Sequence, residues 1–309
     1  MSTEAQTETQ QRPVSSTGVE NLAYRSQLKD RKRIVVKVGS SSLLHPESAR
    51  LDYHRIDRLA RELSDLKNRG KEVILVSSGA AAAGREAIRP RHNIIEQDSP
   101  VTVKQACAAI GQARLMMIYQ KFFEDYNQLT AQVLMTKNTV TSNLSKYNLR
   151  NTFTELLKLD VIPIVNENDS VATIEFSVGD NDNLSAMVAS LMQADLLILL
   201  SDVDGLYTDD PRTNRYARFI EFVPQLDDEL MNMGKASTGS GAGTGGMRAK
   251  LSAAAIATKS GCDMVIVNAS RGMDVLHQVT TGQNVGTLFK ANRSDRFDLQ
   301  DYLEEMDSL

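Results

Sequence analysis

Two hydrophobic rhythms alternate along the chain. Short apolar runs occur at 33–38 (with one lysine inside), 72–76, 132–135, 161–165, 196–200 and 264–267. Each is of strand length; the run at 132–135 reads as a short strand, and the others lack the in–out alternation of a strand with one wet face and read as buried strands. Between them, apolar residues recur at three- and four-residue spacing, as in Ile56, Leu59, Leu63 and Leu66. That period predicts helices over 53–69, 104–126, 149–158, 184–193 and 246–259. Gly70 and Gly261 follow two of them as helix-ending glycines. Buried strands separated by helices predict an α/β fold, with a mainly parallel sheet covered by helices on both faces. Right-handed crossovers then bring the strand-to-helix loops to one edge, where open α/β sheets bind ligands.

The ends of the chain break this rhythm. Residues 1–30 are rich in Ser, Thr, Gln and Glu and poor in large apolar residues, which predicts a disordered tail. They lack the apolar centre of a signal peptide. At the other end, Leu299, Tyr302, Leu303 and Met306 lie at helical spacing among acids. A docked amphipathic helix and a frayed acidic tail are equally compatible with that pattern. The segment 234–246 is dense in Gly, Ser, Ala and Thr. It is expected to be mobile until a nucleotide orders it; a plain linker is the alternative, although it runs straight into a helix.

Length and charge narrow the function classes. The 309 residues permit one large domain or two smaller ones. A net charge of −4 argues against a nucleic-acid binder. No apolar run reaches the roughly eighteen residues that span a bilayer, so a cytoplasmic protein is expected. Cys107 and Cys262 read as reduced, buried thiols.

Candidate chemistry concentrates in the loops. Asn166-Glu167-Asn168-Asp169 and Gly179-Asp180-Asn181-Asp182-Asn183 bring four carboxylates and four carboxamides within eighteen residues. Carboxamides donate and accept, so a cluster of them suits an amino acid's ammonium and carboxylate together. Carboxylates beside them can hold a lysine or a metal. Either stretch alone is more often a turn. Val36-Lys37-Val38-Gly39-Ser40-Ser41-Ser42 places a lysine inside an apolar strand, followed by a glycine turn. Burying that charge is costly unless it is paired; a lysine reaching solvent from an edge strand is the alternative. Ser77-Ser78-Gly79-Ala80-Ala81-Ala82-Ala83-Gly84 leaves room for a small ligand or packs a helix through alanines. Ser201-Asp202-Val203-Asp204-Gly205 begins a segment that either holds a nucleotide's base or ribose or forms a surface hairpin. Gly243-Thr244-Gly245-Gly246-Met247-Arg248-Ala249-Lys250 opens a helix, whose free N–H groups and nearby lysine suit polyphosphate.

Lys37 and Lys250 together suit a transferring phosphoryl group, a reaction governed by positioning and charge stabilisation. None of the four histidines (His45, His54, His92, His277) lies in these motifs. A hydroxyl acceptor usually needs a general base. A carboxylate acceptor does not, since it is already ionised at neutral pH. The pattern therefore points to a kinase acting on a carboxylate.

In this order, the segments resemble the amino acid kinase family, from about Arg33 to Phe289. The resemblance is closest to members that phosphorylate the side-chain carboxylate of glutamate at the start of proline synthesis. It implies a three-layer αβα sandwich with about eight mainly parallel strands. One kinase domain spans 31–290, with a glutamate-binding N-lobe over about 31–190 and an ATP-binding C-lobe over about 191–290, followed by a tail at 291–309. The implied catalytic residues are Lys37 and Lys250, with Asp182 holding both lysines in place. Ser78, Asp169 and Asn181 are implied for glutamate. Lys37, Gly39, Ser201, Asp202, Thr244, Gly245, Gly246, Met247 and Lys250 are implied for ATP. Mg²⁺ accompanies the nucleotide, with no metal-ligating residue assigned. Proline as inhibitor, a glutamyl-phosphate reductase as partner, and a homodimer or homotetramer are implied as well. Many bacterial members carry a further C-terminal domain called PUA. About twenty residues follow Phe289 here, too few for such a domain, so it is expected to be lacking. Aspartate and acetylglutamate kinases share the fold, and the Asn166–Asp169 segment is the discriminator. A non-catalytic amino-acid sensor is disfavoured by the intact Lys37, Asp182 and Lys250. A flavodoxin-like redox protein is disfavoured by the lack of aromatic loops to sandwich a flavin.

Overall fold

The computed structural model describes residues 14–89, 100–171, 181–236 and 246–307. The first half runs α1 (Val14–Arg25), β1 (Arg33–Val38), α2 (Ser40–Leu43), α3 (Tyr53–Asn68), β2 (Glu72–Ser77), α4 (Ala80–Ile88) and α5 (Val101–Asp125). It continues with β3 (Leu129–Met135), α6 (Lys137–Thr141), α7 (Asn143–Lys158) and β4 (Val161–Glu167). The second half runs α8 (Asn181–Met192), β5 (Leu196–Ser201), β6 (Leu206–Tyr207), β7 (Phe219–Ile220), β8 (Phe222–Val223) and α9 (Asp228–Ala236). It closes with α10 (Met247–Lys259), β9 (Asp263–Asn268), α11 (Val275–Thr280), β10 (Thr287–Phe289) and α12 (Leu299–Asp307).

Eight strands form one sheet in the order β3-β4-β2-β1-β5-β9-β10-β8, and β6 pairs with β7 as a separate antiparallel hairpin. Within the large sheet only β9–β10 is antiparallel. The expected three-layer sandwich is what the chain builds. Strand order reverses at β1: the chain proceeds from β1 to β2 on one side and returns through β5 on the other. Such a switch point opens a crevice at the carboxyl ends of the strands.

The period of two along β1 sorts its side chains. Ile34, Val36 and Val38 join a core shared with α3 and α5. Val35 joins the opposite core, shared with α8 and α10. Lys37 has the parity of Val35, so it faces the α8 and α10 layer. Those two helices are buried along most of their length, and their buried positions include the polar residues of their first turns.

Both chain ends fold more than their composition implies. The tail expected to be disordered over 1–30 is helical from Val14. Its apolar content is low, but Arg25 is fully buried. The Arg25 guanidinium donates to Asn21 Oδ1 and to the carbonyls of Val285, Glu221 and Gly286, each at 2.8 Å. Hydrogen bonding to the β8–β10 edge, rather than an apolar stripe, holds α1 down. At the other end α12 docks, with Leu299 and Leu303 buried in the core beneath α10. The backbone N–H groups of Asn292 and Ser294 satisfy the carbonyls of Thr258 and Lys259 at the C-terminus of α10. In the loop expected to be mobile, Gly234 and its neighbours complete α9, and 237–245 lie outside the described residues. Both cysteines are free and buried, as expected.

Candidate active site

Three elements converge at the switch point. β1 brings Lys37, the first turn of α8 brings Asp182 and the first turn of α10 brings Lys250. The Lys37 ammonium lies 2.6 Å from Asp182 Oδ1, and the Lys250 ammonium lies 3.0 Å from Oδ2. All three side chains are buried, Asp182 to 1 % exposure. Burial by itself would raise the Asp182 pKa, but the charges and hydrogen bonds of Lys37 and Lys250 outweigh it and hold the carboxyl below its ordinary value. Two ammoniums thus meet at one carboxylate. The Lys250 ammonium donates a hydrogen bond to Oδ2, and the Lys37 ammonium pairs with Oδ1 through charge. The arrangement suits an incoming anion with several oxygens.

Gly39 keeps the space beside this cluster open. A Cβ there would stand 3.3 Å from the Lys37 ammonium nitrogen. On the α10 side, Gly246 is the N-terminal flanking residue and Met247 the first helical one. Thr244 and Gly245 lie outside the described residues. Ser201 ends β5, and its hydroxyl donates to the Asp202 carboxylate at 3.2 Å. Beyond it the Asp-Gly segment takes the hairpin form, β6 against β7. A cavity of about 500 Å³ opens at the same sheet edge, walled by Tyr207, Phe219, Asn268 and Arg271. Asn268 donates to the Asp204 carboxylate at 2.9 Å across its mouth.

A second, uncharged group lies on the other side of β1. Asn181 Nδ2 donates to Ser78 Oγ at 2.8 Å and to Asn166 Oδ1 at 3.1 Å. Asn166 Nδ2 donates in turn to Gln112 Oε1 at 2.9 Å. Among the described residues, Asp169 has no hydrogen bond to this chain. It sits half-buried in the turn after β4, where burial raises its pKa. Glu167 nearby is pushed up to about 7 by burial and then by the Asp169 charge. Of the three residues implied for glutamate, two are thus joined directly and the third stands apart.

Two members of this chain were missing from the sequence reading. Asn166 belonged to a recognised motif but had no role of its own. Gln112 lies inside α5, where no motif or spacing marks it; what distinguishes the place is the packing of its neighbour Gly111. A Cβ at Gly111 would fall 1.7 Å from the Ala80 carbonyl oxygen, and one at Gly84 would fall 1.8 Å from that of Cys107. The two helices therefore touch backbone to backbone, and the small residues of α4 serve that packing.

Among the described residues, no group of three His, Cys, Asp or Glu side chains could hold a metal ion, and no helix is long and apolar enough to cross a membrane.

The chain is similar to known proteins at both levels. Residues 32–268 match the family model described as "Amino acid kinase family". A glutamate 5-kinase of Carboxydothermus hydrogenoformans is 46 % identical over 273 residues, covering 88 % of this chain and 72 % of the relative. One from Clostridium perfringens is 44 % identical over 275 residues, covering 88 % of this chain and 100 % of the relative. Among solved structures, a UMP kinase from Ureaplasma parvum aligns with a TM-score of 0.56 at 16 % identity, over 84 % of this chain and 99 % of that one. The UMP kinase from Bacillus anthracis aligns with a TM-score of 0.57, also at 16 % identity, over 85 % of this chain and 97 % of that one. At that identity the structural likeness speaks for the fold alone. With residues 32–268 matching the family model and relatives above 40 % identity covering most of its length, the chain belongs to the amino acid kinase family.

Proposed function

We propose that this protein transfers the terminal phosphoryl group of ATP to the side-chain carboxylate of L-glutamate, giving L-glutamyl 5-phosphate for proline synthesis. The observation that carries the reading is Asp182, held between Lys37 and Lys250 at the switch point. Both substrates are anionic at the reacting end, so their mutual repulsion is the main obstacle. The two lysines offset it, and Asp182 keeps their ammoniums fixed before the substrates arrive. A glutamate carboxylate oxygen forms the new O–P bond as the bond to the β-phosphate oxygen breaks and ADP leaves. No proton changes hands, so the chemistry needs no general base.

The uncharged group around Ser78 and Asn181 takes the amino-acid end of glutamate, and Asp169 adds charge for its ammonium. Gly39, Gly246, Met247 and the two lysines border the phosphates; Thr244 and Gly245 extend that loop. Ser201, Asp202 and the cavity beside Tyr207 take the nucleoside. This division makes 31–190 the glutamate half and 191–290 the ATP half. Among the described residues the donors fit a Mg²⁺ ion carried mainly by nucleotide phosphates. When bound, such an ion neutralises charge developing on the phosphate oxygens.

The product is a labile acyl phosphate, so a reductase that consumes it promptly is the partner this chemistry calls for. Proline, which shares the carbon skeleton of glutamate, is proposed as an inhibitor acting at or beside the glutamate group. A homo-oligomer in the cytoplasm completes the proposal.

The test supplies glutamate, Mg-ATP and hydroxylamine and measures γ-glutamyl hydroxamate. Aspartate and acetylglutamate run in parallel. Hydroxamate from glutamate alone is the expected result. Preferential turnover of either competitor would reassign the substrate, and no turnover of any would favour a non-catalytic sensor.

A further inference from the structure

The polar chain from Ser78 to Gln112 has a direction, and a backbone group sets it. The Glu167 N–H donates to Asn166 Oδ1 at 2.9 Å. A backbone N–H can only donate, so this contact fixes which end of the Asn166 amide is oxygen. Asn166 Nδ2 must then face Gln112, and Gln112 must present its oxygen, as observed at 2.9 Å. Asn166 Oδ1 also receives Asn181 Nδ2, whose other N–H goes to Ser78 Oγ. Both donors of Asn181 are therefore committed within the protein, and its Oδ1 is left to accept. The Ser78 oxygen already accepts from Asn181, so its own proton is directed elsewhere.

From this polarity we infer that Gln112 is a positioning residue for the amino-acid substrate. It locks Asn166, and through it Asn181, so that Asn181 offers an acceptor to the substrate ammonium while Ser78 offers a donor to the α-carboxylate. Gln112 is well placed to do this. It is 8 % exposed, Asn166 is 4 % and Asn181 is 9 %, so water competes little for these contacts. Its helix is also fixed, because Gly111 and Gly84 bring α5 and α4 into backbone contact in the turn that leads to it. Gln112 need not touch substrate, since it acts through Asn166.

The inference rests on the glutamate reading above, and its test separates the two. Wild type, Gln112→Met and Gln112→Glu are compared with glutamate and with glutarate, which lacks the ammonium, following ADP release with Mg-ATP. Methionine keeps the volume but removes the acceptor, leaving a buried N–H of Asn166 without its partner. Glutamate keeps an acceptor oxygen at the same place. Gln112→Met is expected to lower the preference for glutamate over glutarate about tenfold, with the loss in KM for glutamate and the KM for ATP unchanged. Gln112→Glu is expected to retain most of the preference. If Gln112→Met weakens glutamate and glutarate by the same factor, or matches Gln112→Glu in preference, Gln112 only packs and the inference is overturned. A wild-type enzyme that does not phosphorylate glutamate would instead remove the functional reading, whatever the variants do.

Discussion

Arg25 and Lys37 are both buried cations near the start of the chain, yet their surroundings differ in kind. Arg25 is surrounded by neutral acceptors: one carboxamide and three backbone carbonyls. Burial draws its pKa down to about 10, with the Glu221 charge opposing the drop. It remains charged at neutral pH, and its fork of donors is used by the fold itself. Lys37 instead meets Lys250 at one shared carboxylate, at the ligand-binding edge of the sheet. A buried cation satisfied by its own chain fastens two segments together. Two buried cations gathered on one carboxylate at such an edge are placed for an anion that arrives later.

Removing the shared carboxylate should break this contrast most completely. Asp182→Asn leaves two ammoniums facing each other in a buried site and is expected to cost about 3–5 kcal/mol of stability. Activity should vanish with it. Chemical denaturation and the hydroxamate assay read the two effects, and a variant of wild-type stability would mean that the lysines are not held by charge. Lys37→Met and Lys250→Met each remove one cation from the cluster. Each should lower kcat by on the order of 10²–10³ with a smaller effect on folding. A variant within tenfold of wild type would take that lysine out of the reaction. Arg25→Met should do the reverse, losing about 2–3 kcal/mol as buried carbonyls lose their donors, while kcat at 25 °C stays within twofold. A large fall in kcat without loss of stability would contradict its role as a fastener.

The smallest expected effect concerns an acid. Glu167 has its folded pKa raised to about 7 by burial and the Asp169 charge. A raised carboxyl pKa favours the folded state most at low pH, and that contribution is lost as pH rises through about 7. Stability should therefore decline between about pH 5 and pH 8, and Glu167→Gln should flatten the decline. Thermal denaturation of both proteins across that range checks it; parallel curves would show that Glu167 does not titrate there. The Asp182 contribution runs the other way, because its lowered pKa makes stability fall only at acid pH, below the ordinary aspartate range.

Local pattern carried much of the fold. The strands at 33–38, 72–76, 161–165, 196–200 and 264–267 are legible because a doubly buried strand must be apolar throughout, which leaves a run no helix or loop reproduces at that length. The same logic flagged Lys37, since a charge inside such a run needs a partner. Helix α1 was missed for the complementary reason. Its attachment depends on Asn21 and Arg25, whose residue types look solvent-exposed until the carbonyls of Glu221, Val285 and Gly286 are known to lie within reach. Gln112 escaped notice likewise, because one glutamine in a helix has no period and no motif.

The sequence by itself determined the alternation of strand and helix, the parity that turns Lys37 toward the α8 and α10 layer, and the residue types gathered in the loops. Those follow from local backbone geometry and from which side chains tolerate burial, and both act over a few neighbouring residues. Only the tertiary structure decided that Asp182 would stand between lysines from two other elements, that Asn181 would spend both donors on Ser78 and Asn166, and that Arg25 would pin the first helix to the far edge of the sheet. Such contacts join residues distant in the chain at about 3 Å, a range over which hydrogen bonding and charge pairing act but sequence spacing carries no information.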